Sequence, residues 1–401
     1  MNVIFLSIAP VEHGIYADLM HEFKNRGDTV YLVSQVERRY KLPTSYTVNN
    51  GIHWLRVRTG NITKVGNIEK GISTILIEQQ FLNAIKKYLS DVQFNLVLYS
   101  TPPVTFERAI RYIKNKYQCL AYLLLKDIFP QNAVDMQMIK KNSLIWRYFR
   151  AKEKRLYAIS DYIGCMSPAN VAYVLKHNPE VLEDKIEVCP NSIKPKPLSE
   201  FTASEGAHIR NKYCIPRKAT LFVYGGNLGK PQGITFLLKA LEELKDKDNI
   251  FFLIVGSGVE YPTIKETIEK NNYKNVSLLT FLPKDDYDSL LSVADVGLIF
   301  LDHRFTIPNF PSRLTAYMES ATPVLAATDI HTDIKDAILK SECGMWIKSS
   351  DVKGFAALVE KMSSDAVNLK EMGLKGRNYL EKNYTVSMCY DIITSHCRHM
   401  S

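Results

Sequence analysis

Two successive series of short apolar runs alternating with amphipathic stretches run along this sequence, and few architectures accommodate that pattern. In the first half, "NVIFLSI", "TVYLVS", "NLVLYS", "CLAYLLL", "YIGCMS" and "KIEVC" have the length and apolar character of strands buried on both faces. Stretches such as "GISTILIEQQFLNAIKKYL", with apolar residues three and four apart, predict helices between them. The segment from Pro190 to Ala219 is polar, holds four prolines and reads as irregular. The alternation then restarts with "TLFVYGG", "IFFLIVGSG", "VSLLTFL", "VGLIFL", "PVLAAT" and "CGMWIK". Strand–helix alternation of this kind specifies an α/β fold with parallel sheets, here two such domains in succession. Open parallel sheets bind ligands at the carboxyl ends of their strands, so a cleft between the domains is the expected working site.

A chain of 401 residues with 46% hydrophobic and 23% charged residues has the composition of a soluble globular protein of two domains. "MNVIFLSIAPVEHG" lacks a basic flank and a cleavage site, so it reads as a first strand and not a signal peptide. No run of about 18 apolar residues predicts a membrane span. Seven cysteines without a CxxC pair fit reduced thiols and a cytoplasmic location. The formal charge of +9 lies entirely in the first half: residues 1–200 carry 27 Lys and Arg against 18 Asp and Glu, and residues 201–401 carry 24 of each. A basic half suits a phosphorylated ligand, anionic lipid or nucleic acid, or is a plain composition bias. Nothing resembles an RNA-recognition or helix-turn-helix module, which argues against nucleic acid.

Glycine-rich turns follow two strands of the second half. "LFVYGGNLGKPQG" supplies Gly225, Gly226, Asn227, Gly229, Lys230 and Gln232, and "LIVGSG" supplies Gly256. Glycine lets a backbone approach closely and point N–H groups at an anion, although such a turn also serves tight packing alone. "IPNFPSRLTAYMESATPVLA" (Ile307 to Ala326) reads as a loop, a helix of barely two turns and a strand.

The ordered series "YGGNLGKPQG", "FLIVGSG", "LTFLPKDDYDSLLSVADVGLIFL", "PSRLTAYMESATPVLA" and "CGMWIKSSDVKGFAALVEKM" resembles the donor domain of the retaining glycosyltransferases of family 4. In the first half, "KEKRLYAISDYIGCMSPANVAYVL" with "KIEVCPNSIKP", and "LLLKDIFPQNAV", resemble the acceptor domain, the last in the bacterial capsule and O-antigen enzymes. The resemblance implies the GT-B fold: two Rossmann-like domains facing each other across a cleft. It divides the chain into an acceptor-binding domain (1–195), a linker (196–219), a nucleotide-sugar-binding domain (220–380) and a C-terminal helix within 381–401 packing back on the first domain. It implies transfer of a sugar, of hexosyl or N-acetylhexosaminyl type, from a nucleotide donor, UDP-linked by preference, to a saccharide or polyprenyl-pyrophosphate-linked acceptor. Asn309, Phe310 and Ser312 fall in the donor stretch, and the base of a UDP donor is expected near Leu282 and Pro283.

The departures are specific. The family's Arg and Lys around the glycine turn are Asn227 and Gln232 here, and its two Glu fall on Pro308 and Ala316. Arg313, on the first turn of the short helix, is the expected replacement for pyrophosphate, with Lys230 opposite; a surface pair with Asp302 is the alternative. Glu319 is the candidate for the ribose hydroxyls, or else a solvent-facing acid. In "APVEHGIYADLM", Glu12, His13 and Gly14 form the turn after the first strand, and His13 reads as a phosphate or acceptor contact, or a cap. Lys126 and Asp127 end a strand, and Asp127 reads as a holder of sugar hydroxyls or a helix cap. No carboxylate stands out as a covalent nucleophile, so front-face transfer is expected, with the leaving pyrophosphate assisting. The histidines lack metal spacing, and Asp286 and Asp288 read as a helix's first turn, so no metal or other cofactor is expected.

"MIKKNSLIWRYFRAKEKRLYAIS" (Met138 to Ser160) holds seven cations and one anion, with Trp146, Tyr148 and Phe149 among them. It reads either as a peripheral contact with anionic membrane, on the inner face of the plasma membrane, or as an ordinary domain helix. Two rival functions remain: a nucleotide-sugar epimerase of the same fold, and an inactive sugar-nucleotide-binding partner subunit.

Overall fold

The computed structural model describes residues 1–8, 13–63, 65–198 and 202–397, which form two compact units, Met1–Lys194 with the C-terminal segment from Thr385, and Pro195–Tyr384. The strands of the first unit are β1 (Asn2–Ser7), β2 (Thr29–Glu37), β3 (Ser45–Asn49), β4 (Ile52–Thr59), β5 (Leu96–Ser100), β6 (Leu120–Leu125), β7 (Tyr162–Cys165) and β8 (Ile186–Val188). Its helices are α1 (Ile15–Asn25), α2 (Asn67–Tyr88), α3 (Glu107–Tyr117), α4 (Gln131–Asp135), α5 (Leu144–Ile159) and α6 (Pro168–His177), followed at the chain end by Val386–Ser395.

The sheet order is β3-β4-β2-β1-β5-β6-β7-β8, parallel except for the edge strand β3. Strands β5 and β6 are buried at every residue, which is why they read as continuous apolar runs. The crossovers through α2, α3 and α5 all advance towards β8 and put these helices on one face, whereas β1–α1–β2 runs back and puts α1 on the other. The C-terminal helix packs on α1: Val386, Cys389 and Ile393 share a core with Leu19, Met20 and Phe23. The β3–β4 hairpin has no counterpart among the expected strands. Its turn, Asn50-Gly51, has φ of 48° and 73°, both positive, as a type I′ hairpin requires.

The second unit begins with α7 (Ala203–Lys212), inside the stretch expected to be irregular. Thr202 and Glu205 close a capping box at its start. Then follow β9 (Thr220–Asn227), α8 (Ile234–Glu243), β10 (Ile250–Ser257), α9 (Tyr261–Asn271), β11 (Val276–Leu279), α10 (Lys284–Ser292), β12 (Val296–Phe300), α11 (Arg313–Glu319), β13 (Val324–Thr328), α12 (Ile334–Ser341), β14 (Gly344–Lys348), α13 (Val352–Ser363) and α14 (Ala366–Asn383). The all-parallel order β11-β10-β9-β12-β13-β14 is that of a doubly wound nucleotide-binding sheet. The chain reverses its direction of winding between β9 and β12. Loops leaving the carboxyl ends of those two strands diverge, and the space they open is where such sheets take ligands.

Candidate functional site: an arginine at the switch point of the second sheet

Strand β9 ends in Tyr224-Gly225-Gly226-Asn227, at the switch point. Arg313, the first residue of α11, lies over this end. Its Nε donates to the Gly225 carbonyl, and its guanidinium carbon sits 4.5 Å from the centre of the Tyr224 ring. Gly226 makes room for it: φ is +135°, and a Cβ there would fall 2.8 Å from Arg313 Nε. On Gly225 a Cβ would collide with the hydroxyl and ring of Tyr287, so both glycines are required by what packs against them. Behind this layer the buried Tyr317 hydroxyl reaches the carbonyls of Val223 at 3.1 Å and Leu298 at 3.0 Å, tying β9 to β12. Burial pushes the Tyr224 and Tyr287 hydroxyls up to about 12, so both rings stay neutral beside the guanidinium. Among the described residues Arg313 has no carboxylate partner. The alternative pair with Asp302 is not formed, because Asp302 is held by Arg304 at 2.8 and 2.9 Å. A half-buried cation with no acid beside it favours an anionic ligand.

The glycine loop is braced by its own side chains. Gln232 Oε1 accepts from Gly229 N and from Asn227 Nδ2, each at 3.2 Å, and Tyr224 Oη donates to the Asn227 carbonyl at 2.7 Å. Gln232 therefore shapes the loop from within. Lys230 stands exposed at the start of the 3₁₀ turn Lys230–Gln232. Gly256 serves close packing: a Cβ there would meet the Gly226 carbonyl carbon at 3.1 Å.

Other expected donor contacts separate into those that face outward and those already engaged. Pro283 is exposed and Leu282 half-buried at the start of α10, beside the 75% exposed Phe281, an aromatic surface the sequence reading did not single out. Ser312 is exposed and precedes α11 at its N-cap position without a side-chain capping bond, and Asn309 is half-buried, its carbonyl accepting from the Thr332 hydroxyl. Phe310 turns inward, its ring 6.2 Å from that of Tyr384, so it offers a ligand backbone at most. Glu319 stands at the far end of α11 from Arg313. Its Oε1 accepts from Lys196 N at 3.0 Å, while its carbonyl accepts from Arg377 Nη1 at 2.7 Å. A seven-residue helix separates its two ends by about 9 Å at 1.5 Å per residue, so the carboxylate is directed to the Lys196 segment and not alongside the guanidinium.

In the first unit, His13 and Gly14 are exposed at the entry to α1, and Glu12 lies outside the described residues. Gly14 has φ +91° and its carbonyl accepts from Asp18 N at 3.1 Å, opening the helix without a side chain in the way. Lys126 and Asp127 follow β6 on a turn fixed by Thr101, whose Oγ1 accepts from both their N–H groups at 3.1 Å and donates to the Asp127 carbonyl at 3.0 Å. Lys126 Nζ donates to the carbonyls of Cys189 and Pro190 at 3.2 and 3.3 Å, so its charge serves the turn after β8. Asp127 Oδ2 accepts from Asn132 Nδ2 at 2.6 Å. Burial raises its carboxyl to about 7 against the opposing hydrogen bonds from Asn132 and Ile128 N–H, with Glu153 adding to the rise. An acid poised near neutrality at a strand's carboxyl end can give or take a proton. Among the described residues no group of three or more His, Cys, Asp or Glu is gathered as a metal site.

Tyr224, Tyr287, Thr101 and Asn132 were not singled out from sequence, and each positions a residue that was. The one available signal was Tyr224 preceding Gly225-Gly226, since an aromatic before a glycine pair leaves its ring face open to a cation.

The model of the family described as glycosyl transferases group 1 matches residues 207–379, most of the second unit. The chain is similar to the probable glycosyltransferase WbjE of Pseudomonas aeruginosa, with 21% identity over 330 residues, 79% of this chain and 77% of that protein. Its fold is similar to that of sucrose-phosphate synthase from Thermosynechococcus elongatus, with a TM-score of 0.80 at 15% identity over 100% of this chain and 99% of that one. The fold of Anabaena HepE in complex with UDP is similar too, with a TM-score of 0.70 at 12% identity over 100% of both chains. The chain is a glycosyltransferase of the GT-B fold, related to the group 1 family through its second unit and resembling the bacterial capsule and O-antigen enzymes.

Proposed function

We propose that this enzyme transfers a hexosyl or N-acetylhexosaminyl group from a UDP-sugar to a saccharide or lipid-linked saccharide in bacterial surface polysaccharide assembly, with retention of anomeric configuration. The observation that carries the reading is Arg313, held by the Gly225 carbonyl and the Tyr224 ring with no acid beside it. UDP in the HepE complex and the capsule-type "GNLGKPQG" and "PSR" stretches support the donor and pathway assignments. In this reading Arg313 and Lys230 stabilise the pyrophosphate, and the backbone of the glycine loop and of Ser312 adds N–H donors. Leu282, Pro283 and Phe281 offer an apolar seat for the base.

The bond from the anomeric carbon to the donor phosphate oxygen breaks, and its electron pair leaves with UDP. The acceptor oxygen attacks from the same face, and its proton passes to the departing phosphate oxygen. Asp127 and His13 hold sugar hydroxyls, with Asp127 able to exchange a proton near pH 7. Lys126 positions the turn that carries Asp127. Glu319 reaches the ribose only by giving up Lys196 N–H, so its part in donor binding is secondary to that of Arg313.

Thermal-shift measurements against UDP-, GDP-, ADP- and dTDP-sugars test the reading. Saturation at 100 times Kd stabilises a protein by about 2.7 kcal/mol, and only the UDP series is expected to do so. Equal stabilisation by every series, or by none, overturns the donor assignment, and a product of inverted configuration overturns the mechanism.

A further inference from the structure

A cavity in the first unit, between α1 and the β3–β4 hairpin, is left unused by the transfer reaction. Its volume is about 150 Å³. Ala17, Met20, Leu32 and Ile52 are buried and make its floor, and the half-buried Trp54 closes one side. Exposed His21, Asn49 and Asn50 form the rim, their side chains without a hydrogen-bond partner among the described residues. Strand geometry explains the arrangement. Ile52 and Trp54 alternate onto the same face of β4, Leu32 of β2 lies beside Trp54, and Asn49 faces Ile52 across the hairpin. The Asn50-Gly51 turn therefore holds two amides beside an apolar floor.

Trp54 is held by the Arg56 guanidinium, 4.3 Å from its ring centre, and by the core that contains Met20, Leu32 and Ile52. Its indole Nε1–H is nonetheless buried without a hydrogen-bond partner among the described residues. Such a donor costs free energy until an acceptor reaches it. No Lys, Arg, Asp or Glu is among the described residues that line the cavity, which disfavours phosphates and carboxylates, since these need a counter-charge. An apolar cavity of this size takes one six-membered ring. Here the ring has to carry oxygens as well, one for the indole N–H and others for the polar rim.

We infer that this cavity binds one neutral pyranose, with its C–H face on Met20, Leu32 and Ile52, an oxygen accepting from Trp54 Nε1, and further hydroxyls at Asn49, Asn50 and His21. The site is accessory to the transfer chemistry. From β4 to β6, the strand that leads into Asp127, the sheet takes four steps, through β2, β1 and β5, which amount to roughly 19 Å. The rim amides also stand at the amino end of β4, whereas Asp127 follows the carboxyl end of β6. A sugar bound here is therefore not the one that reacts. It is either a free monosaccharide or a more distant unit of a saccharide chain.

The test follows the indole N–H signals of the full chain by NMR in the absence of nucleotide, with the Trp54→Phe spectrum identifying the Trp54 signal among the three tryptophans. Glucose, galactose and N-acetylglucosamine are added at millimolar concentrations, each singly and as its trisaccharide, with glycerol and inorganic phosphate as controls. The Trp54 signal is expected to shift and saturate with at least one sugar and with neither control. Equal affinity for the single sugar and its trisaccharide supports a site for a free monosaccharide, and tighter binding of the trisaccharide supports a unit within a chain. H21A/N49A, at two exposed positions, is expected to weaken binding at least about five-fold, the equivalent of one neutral hydrogen bond. No shift with any sugar overturns the proposal, leaving water as the occupant. So does an equal shift with glycerol or phosphate, or an affinity unchanged in H21A/N49A. No donor is present in these titrations, so their failure leaves the transfer reading standing.

Discussion

Asp127→Asn should make the protein more stable relative to wild type as pH rises. The Asp127 carboxyl is raised from 3.8 to about 7, burial being the largest cause. A folded pKa above the unfolded one means the protonated form is favoured by folding. The stabilising contribution is then full below about pH 4 and lost as pH rises to about 7. Some two units of that window lie between pH 5 and pH 7, and at 1.36 kcal/mol per unit they amount to about 2–3 kcal/mol. Asparagine has no proton to lose. Its carbonyl can keep the hydrogen bond from Ile128 N–H, and Asn132 can rotate to present Oδ1, which is buried without a partner, to the new amide. Thermal denaturation of both proteins at pH 5 and pH 8 should therefore show the Tm difference moving by roughly 5–10 °C in favour of the variant. Parallel pH profiles would refute the burial argument. If Asp127 also exchanges a proton during transfer, the variant loses activity at every pH while gaining stability at high pH, a combination that damage to the fold does not produce.

Three further outcomes follow from the same geometry. Gly226→Ala places a methyl group against the Arg313 guanidinium at φ +135°, and should cost about 1–3 kcal/mol of stability and weaken UDP binding, read by denaturation and calorimetry. Gln232→Ala removes the acceptor for Gly229 N and Asn227, worth about 1 kcal/mol, and should raise the donor KM several-fold while lowering Tm by only about 2–4 °C. Gly51→Val forces a branched residue into φ 73° in the β3–β4 turn and should lower stability by about 1–2 kcal/mol without changing UDP affinity, which makes it the control for the other two.

The parallel strands were legible because burial on both faces leaves continuous apolar runs, as in "LAYLLL". The β3–β4 hairpin carried a usable signal in Asn50-Gly51, but its exposed edge strand offers only "SYTVN". Helix α7 carried one in Thr202 and Glu205, outweighed by the flanking prolines. At the site, Arg313 was legible as a cation on the first turn of α11 next to a glycine-bearing strand. Its seat on Tyr224 was not, because a tyrosine in an apolar strand reads as core until the sheet shows which strand end it occupies. The partner of Glu319 was not legible: it ends α11, and its carboxylate accepts from the Lys196 N–H, a contact that helical periodicity does not encode. The raised Asp127 depends on surroundings gathered from β5, β6 and α5, which no local pattern encodes.

The account rests on Arg313 as the pyrophosphate ligand. Calorimetric titration of UDP into the wild type, Arg313→Lys and Arg313→Ala tests this directly, with Tm monitored in parallel. A charge-assisted hydrogen-bonding pair contributes about 1.5–3 kcal/mol, so Arg313→Ala is expected to weaken UDP binding by about 10–150-fold and Arg313→Lys by less. UDP affinity unchanged in Arg313→Ala would contradict the assignment.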